Sequence, residues 1–291
     1  MKNCKFIDLH SDVLTCNKSK NEVVTEIKNN KKMGYKSINA IFRDKMSLDS
    51  AVAIANYYWG CGVKNIAFED CCYEDFLLKD GSDKHAVKEN MRLLVSTLKK
   101  FNPLYLSLGW NYDNLFAGGC LQNGRLSTYG HTFIKILNDE GIAVDCAHLN
   151  EISFYEVVDL AEKVLCSHTA ISDIFPHKRN ISYRAINKLI HKKGIIGITA
   201  VGHFLTGIKG NKKNYESAFY EHIDGFLQNF GAECLAIGTD FYGTNALAFN
   251  REDYNEVYQR TIYNLQKLGV GEKDAKKITY ANAENFFGGK I

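Results

Sequence analysis

The sequence predicts an α/β fold, a closed (β/α)8 TIM barrel in one domain over residues 1–291, from three observations. Short runs rich in β-branched and aromatic residues recur along the chain, a segment of helical apolar period follows most of them, and eight such strands fit within 291 residues. Strands that alternate with helices pair in parallel, because a parallel connection needs a crossover. An open doubly wound sheet is the rival that the pattern alone leaves standing.

The strands read in order are 5–11, 37–43 (SINAIFR), 63–69 (VKNIAFE), 104–109 (LYLSLG), 142–147 (IAVDCA), 163–168 (KVLCSH), 195–201 (IIGITAV) and 234–239 (CLAIGT). The helices read with them are 48–60, 83–100, 127–140, 151–161, 184–193, 213–229 and 252–268, with a closing helix near 273–287. Only two prolines occur and no low-complexity stretch interrupts the chain, so nothing suggests a linker or a second domain.

Composition narrows the function classes. With 45% hydrophobic residues the chain can bury a large core, which excludes a disordered or fibrous protein. The 36 basic and 33 acidic side chains nearly cancel, so no electrostatic footprint for nucleic acid or an anionic membrane is expected. Short lysine runs such as 99–100 and 192–193 read as solvated helix faces. The nine cysteines have no repeated C-x-x-C spacing, as reduced thiols in a cytoplasmic protein would. The first residues, MKNCKFIDLHSDVL, lack the pattern of a secretory leader, and no segment reaches about 18 uninterrupted apolar residues. A soluble intracellular protein without a membrane anchor is the expectation.

In a barrel of this kind reactive groups project from the carboxyl-terminal ends of the strands. Strand 1 finishes on His10 and Asp12, strand 3 on Glu69, strand 5 on His148, strand 6 on His168 and strand 8 on Asp240. Residues two apart on a strand share a face, so His10 and Asp12 can hold one ion between them. His148 and His168 can hold a second, and Glu69, with two oxygens, can bridge the pair. Singly, a His or Asp at a strand end is commonly a turn or cap residue, and H-x-D recurs by chance. Six such residues from five strands on one rim carry the weight. The other histidines, His85, His131, His177, His191, His203 and His222, read as surface or packing residues. Cys71, Cys72, Cys146 and Cys166 read as buried thiols.

The segments IDLHSD (7–12), GVKNIAFED (62–70), GIAVDCAHLN (141–150), VLCSHTA (164–170), HKRNIS (177–182) and AIGTDFYG (236–243) resemble, in order, the motifs of the membrane dipeptidase (renal dipeptidase) family of zinc peptidases. The resemblance implies a metallo-dependent hydrolase barrel with two Zn²⁺ per chain: His10 and Asp12 on the first, His148 and His168 on the second, Glu69 bridging. Mixed N/O sites also accept Mn²⁺ or Co²⁺. Asp240 matches the family's acidic residue beside the metals, and Arg179 matches the basic residue that receives the substrate's terminal carboxylate. The implied reaction is hydrolysis of free dipeptides, often with a D-residue at the second position, and some members open β-lactam rings.

Two zinc ions lower the pKa of a bridging water from about 15.7 toward about 7, so hydroxide can attack at neutral pH. Asp240 would then shuttle the proton to the leaving amine. A planar guanidinium suits a carboxylate and selects free dipeptides over longer chains. Asp8 and Asp145, each just before a ligand, are candidates to orient the imidazoles. One departure stands out: many members carry a histidine after strand 4 to steady the oxyanion, and this chain has Trp110 followed by Asn111 in LSLGWNYDN. An indole N–H donates one hydrogen bond but carries no charge, so Trp110 or Asn111 replaces the histidine or Trp110 only walls the substrate pocket. Two other readings remain: a different amidohydrolase-type barrel acting on a lactone, phosphoester or deaminable base, and a metal-binding homologue that has lost catalysis. The family commonly forms dimers, which points to a homodimer.

Overall fold

The computed structural model describes residues 4–79, 83–208, 212–249 and 253–291. Among them, eight strands pair in chain order and close into a barrel: β1 (Phe6–Ser11), β2 (Tyr35–Ile41), β3 (Ile66–Phe68), β4 (Tyr105–Ser107), β5 (Ala143–Asp145), β6 (Val164–Thr169), β7 (Ile195–Ile198) and β8 (Leu235–Ile237). Each overlaps a strand read from the sequence, and the closed barrel, not the open sheet, is the fold. Every residue of β1, β6 and β7 is buried, as expected where both faces of a parallel strand are covered.

The principal helices are α1 (Lys20–Met33), α2 (Leu48–Gly60), α3 (Lys84–Lys99), α4 (Thr128–Asp139), α5 (Glu151–Leu160), α6 (Tyr183–His191), α7 (Lys212–Phe230) and α8 (Tyr254–Lys267). The sequence-based start of the last at 252 lies outside the described residues. Helix α1 is absent from the sequence reading because its apolar stripe is thin: only Val23, Val24 and Asn30 are buried. Its ends were nevertheless marked. Ser19 and Glu22 form a reciprocal capping box, and Gly34 closes the helix at φ +91°. The closing helix breaks into Glu272–Lys276, a π-helical turn at Lys277–Ala281, and Asn282–Phe286. There Asn282 Nδ2 donates to Ala232 O at 2.6 Å and Leu235 O at 2.8 Å, which satisfies the carbonyls where β8 begins.

The chain divides into two compact units, residues 1–39 with 166–291 and residues 40–165. The first is built on Phe6, Leu9, Phe219, Phe226, Ile237 and Phe241, all fully buried. A Cβ on Gly238 would lie 1.9 Å from the carbonyl oxygen of Ser167, so only glycine lets β8 come this close to the strand that carries His168. The second unit packs Phe68, Met91, Leu94 and Leu106, and stacks Phe116 on Phe133 with ring centroids 4.4 Å apart. None of the nine cysteines is in a disulfide. Among the described residues no helix is long and apolar enough to cross a membrane.

Candidate active site

In the first unit, β1 does not run straight into Asp12. Its register with β2 shifts between Asp8 and Ser11, and Asp12 opens a short 3₁₀ turn at Val13–Thr15. This bulge, rather than plain strand alternation, sets His10 Nε2 3.5 Å from Asp12 Oδ1. After β8 the chain turns at Asp240, whose φ is +58°, and the two segments bond to each other. Asp240 N–H donates to His10 O at 3.1 Å, and Asp12 N–H donates to Phe241 O at 2.8 Å. Asp240 Oδ1 is 3.8 Å from His10 Nε2. Ligand atoms of His10, Asp12 and Asp240 therefore lie within 4.8 Å of one another, a grouping that could hold a metal ion. Burial, and next the Asp12 carboxylate, push the Asp240 carboxyl well above the usual carboxylate range.

His168, inside β6, lies with its ring centroid 3.9 Å from that of His10, and its Nδ1 is 2.8 Å from Ser167 Oγ. Arg179 follows on a loop held by its own backbone. Its N–H donates to His177 Nδ1 at 3.2 Å, and its carbonyl accepts from Thr169 Oγ1 at 3.0 Å. The guanidinium packs 5.3 Å from the Phe204 ring, only 6% of the residue is exposed, and Nε and Nη2 are buried with no hydrogen-bond partner among the described residues. A native fold rarely leaves such donors unmet unless something else fills them.

In the second unit Glu69 directly follows β3, its N–H donating to Ile41 O at 3.3 Å. Its Oε1 lies 3.3 Å from His148 Nε2. His148 stands three residues beyond β5 at φ +72°, a left-handed conformation uncommon for a residue with a Cβ. Its Nδ1 is 2.8 Å from Asn111 Oδ1, and its ring is 5.9 Å from Trp110, which packs on Phe42 at 5.1 Å. Asp70, next to Glu69, is raised to about 6 by burial.

The sequence-derived residues thus gather within their units: His10, Asp12, His168 and Asp240 in one, Glu69, His148, Trp110 and Asn111 in the other. One expectation is corrected. Asp8 does not orient an imidazole; its carboxylate accepts from the backbone N–H of His10 and Thr239, the Thr239 hydroxyl and the Tyr254 hydroxyl. Burial outweighs these bonds and lifts its pKa to about 6. Asn111 Oδ1 faces the His148 ring, 2.8 Å from Nδ1. Sequence reasoning also missed Gly243, where a Cβ would lie 2.3 Å from Asp240 Oδ1 and 2.7 Å from Asp12 Oδ2. The glycine three places after Asp240 was the available signal.

The donor set fits zinc. Imidazole nitrogens and carboxylate oxygens are its usual ligands alongside thiolate, and Asp12 Oδ1 is buried yet accepts no hydrogen bond from the described residues.

Fold and side chains define the class: a (β/α)8 barrel with metal-ligand residues at or just beyond the carboxyl ends of its strands. The chain belongs to the membrane dipeptidase family, peptidase family M19, whose sequence profile matches residues 82–287. It is 25% identical over 195 residues to dipeptidase tcpJ of Claviceps purpurea, an overlap covering 64% of this chain and 45% of that protein. The match thus spans less than half the length of that curated relative. Among solved structures, dipeptidase AC, a metallopeptidase of family M19, superposes with a TM-score of 0.75 at 15% identity over 98% of both chains. A metallopeptidase from Rhodobacter sphaeroides, solved with a phosphinate mimic of L-Ala-D-Ala, superposes with a TM-score of 0.75 at 14% identity over the full length of both. At these identities the two structures bear on the fold.

Proposed function

We propose that this chain is a metal-dependent dipeptidase that cleaves the peptide bond of free dipeptides, including those with a D-residue at the second position, on a binuclear zinc centre. Family membership supports the reaction class, and the dipeptide mimic bound by the Rhodobacter sphaeroides neighbour supports the substrate class. The observation that carries the reading in this chain is Arg179, a buried guanidinium whose Nε and Nη2 have no hydrogen-bond partner among the described residues. A substrate carboxylate would satisfy both donors, and that requirement favours a free dipeptide over an internal peptide bond.

His10 and Asp12 would hold one ion, His148 and His168 the other, with Glu69 between them, a ligand set of the kind that the carboxyl-terminal face of a parallel barrel ordinarily supplies. When bound, the ions supply a Lewis acid for the scissile carbonyl and a water acidic enough to ionise near neutral pH. Asp240 takes the proton from the attacking water and delivers it to the leaving nitrogen as the C–N bond breaks, a task suited to a carboxyl whose proton affinity burial has raised. Arg179 fixes the substrate's far end, so the carbonyl is held in register with Asp240. Trp110 and Asn111 wall the pocket on the side where many family members carry a charged oxyanion donor. Cysteines that form no disulfide support action in a reducing compartment, the cytoplasm.

The test is metal content of the purified protein, together with turnover of L-L and L-D dipeptides before and after chelation. About two zinc per chain, with cleavage that chelation and Asp240→Asn both abolish, is the expected result. Turnover of lactones or phosphoesters in place of dipeptides would move the chain to another amidohydrolase-type reaction. Two ions with no turnover of any of them would make it a metal-binding homologue.

A further inference from the structure

We infer that Asn111 is a positioning residue that selects which nitrogen of His148 faces the metal. The inference rests on the proposed function only in taking His148 as a metal ligand.

His148 lies past the end of β5, at φ +72°. The segment after β4 supplies the restraint at several points. Cys120 N–H donates to His148 O at 2.8 Å, Gly119 bridges Leu149, and Asn150 N–H donates to Gly118 O at 3.1 Å. These bonds place the backbone. The ring is set by Asn111, whose Oδ1 lies 2.8 Å from Nδ1.

An amide oxygen only accepts, so Nδ1 carries the proton and Nε2 keeps its lone pair. Nε2 is the atom 3.3 Å from Glu69 Oε1, where a cation between the two would be shared. The amide is itself held the right way round. The Cys120 thiol donates to the same Oδ1 at 3.3 Å, and Asn111 O accepts Leu121 N–H at 2.9 Å. With the amide turned over, NH₂ would face both Nδ1–H and the thiol, and two acceptor bonds would be lost. Metal-bound histidines ordinarily use their second nitrogen in this way, and loss of the outer partner weakens metal affinity about 10–100-fold.

Asn111→Leu removes the acceptor at nearly constant size, and Asn111→Asp restores it. Zinc affinity is read by competition with a chromophoric chelator, and Co²⁺ substitution reports the ligand set through its visible spectrum; neither needs turnover. The expected result is one ion weakened about 10–100-fold in Asn111→Leu with the other unchanged, and recovery to within about threefold in Asn111→Asp. Imidazole ¹⁵N spectra of the zinc-loaded wild-type protein give a reading that no variant's folding can spoil. They should show His148 protonated at Nδ1, and a proton at Nε2 overturns the inference. So does Asn111→Leu binding both ions as tightly as wild type while His148→Ala loses one. If His148→Ala keeps both ions, the fault lies instead with His148 as a ligand, and the proposed metal centre falls with it.

Discussion

In the unit of residues 1–39 and 166–291, His10 and His168 stand inside β1 and β6, on backbone that the barrel needs in any case. In the unit of residues 40–165, His148 stands three residues beyond β5 in a left-handed turn, held by a segment that begins near Trp110 and ends near Leu121. Strand-borne donors are placed by ladder hydrogen bonds and by how closely neighbours can approach. A loop-borne donor has to be gripped side chain by side chain. The difference teaches where each half is vulnerable: steric intrusion should damage the first, and loss of one polar partner the second.

The largest effect should come from intrusion at Gly243. A Cβ there would sit 2.3 Å from Asp240 Oδ1 and 2.7 Å from Asp12 Oδ2, and neither distance is tolerable for a carbon. The atoms that must give way are the two carboxylates to which the proposed function assigns metal binding and proton transfer. A displacement approaching 1 Å in a catalytic group costs about 10²-fold in rate, so Gly243→Ala should lower kcat/KM by about that factor while the protein remains folded. Activity within about threefold of wild type would mean that these carboxylates are not held by packing, and the contrast between the two halves would fail.

A smaller, two-sided effect is expected at Arg179. Its buried Nε and Nη2 lack hydrogen-bond partners among the described residues, so the folded protein bears the desolvation of a charged group that the substrate would relieve. Arg179→Met should raise stability by about 1–3 kcal/mol in denaturant unfolding and raise KM for dipeptides at least about tenfold. Loss of stability instead would show that the guanidinium serves the fold, through its contact with Phe204.

Much of the first half was legible because it is written in strands. β1 and β6 are apolar runs that end in His, and the period-2 rule pairs His10 with Asp12 even though a bulge and a 3₁₀ turn deliver the contact. The second half was legible only in its ligand types. Asn111 was visible as a polar residue after β4, but its partner lies 37 residues away and is met through loop conformation that local periodicity does not encode. Helix α1 hid for a different reason. Tertiary packing of Val23 and Val24 with two good caps suffices for a helix whose other residues are almost all polar. Asp8 misled because closeness in sequence to His10 suggested contact with its ring, whereas the β1–β8 pairing brings Thr239 to its carboxylate first.

The smallest effect concerns pH and sharpens the account of the first unit, where the loop that carries Arg179 is anchored by His222 of α7. That imidazole is fully buried; its Nδ1 accepts Ile171 N–H at 3.1 Å, and its Nε2 donates to Leu205 O at 3.0 Å. Both nitrogens are thus committed to the neutral ring, and burial depresses its pKa below the ordinary 6.5. The unfolded chain binds this proton more readily than the folded one. The contribution is therefore complete above about pH 6.5 and declines as pH falls below it, by at most about 1.4 kcal/mol per pH unit until the folded-state pKa is reached. Denaturant unfolding of wild type and His222→Asn between pH 5 and 7.5 measures it. The variant should be less stable at pH 7.5, and the gap should narrow toward pH 5. A gap that stays constant with pH would mean that folding does not lower the proton affinity of His222, and that the Arg179 loop tolerates a charge beneath it.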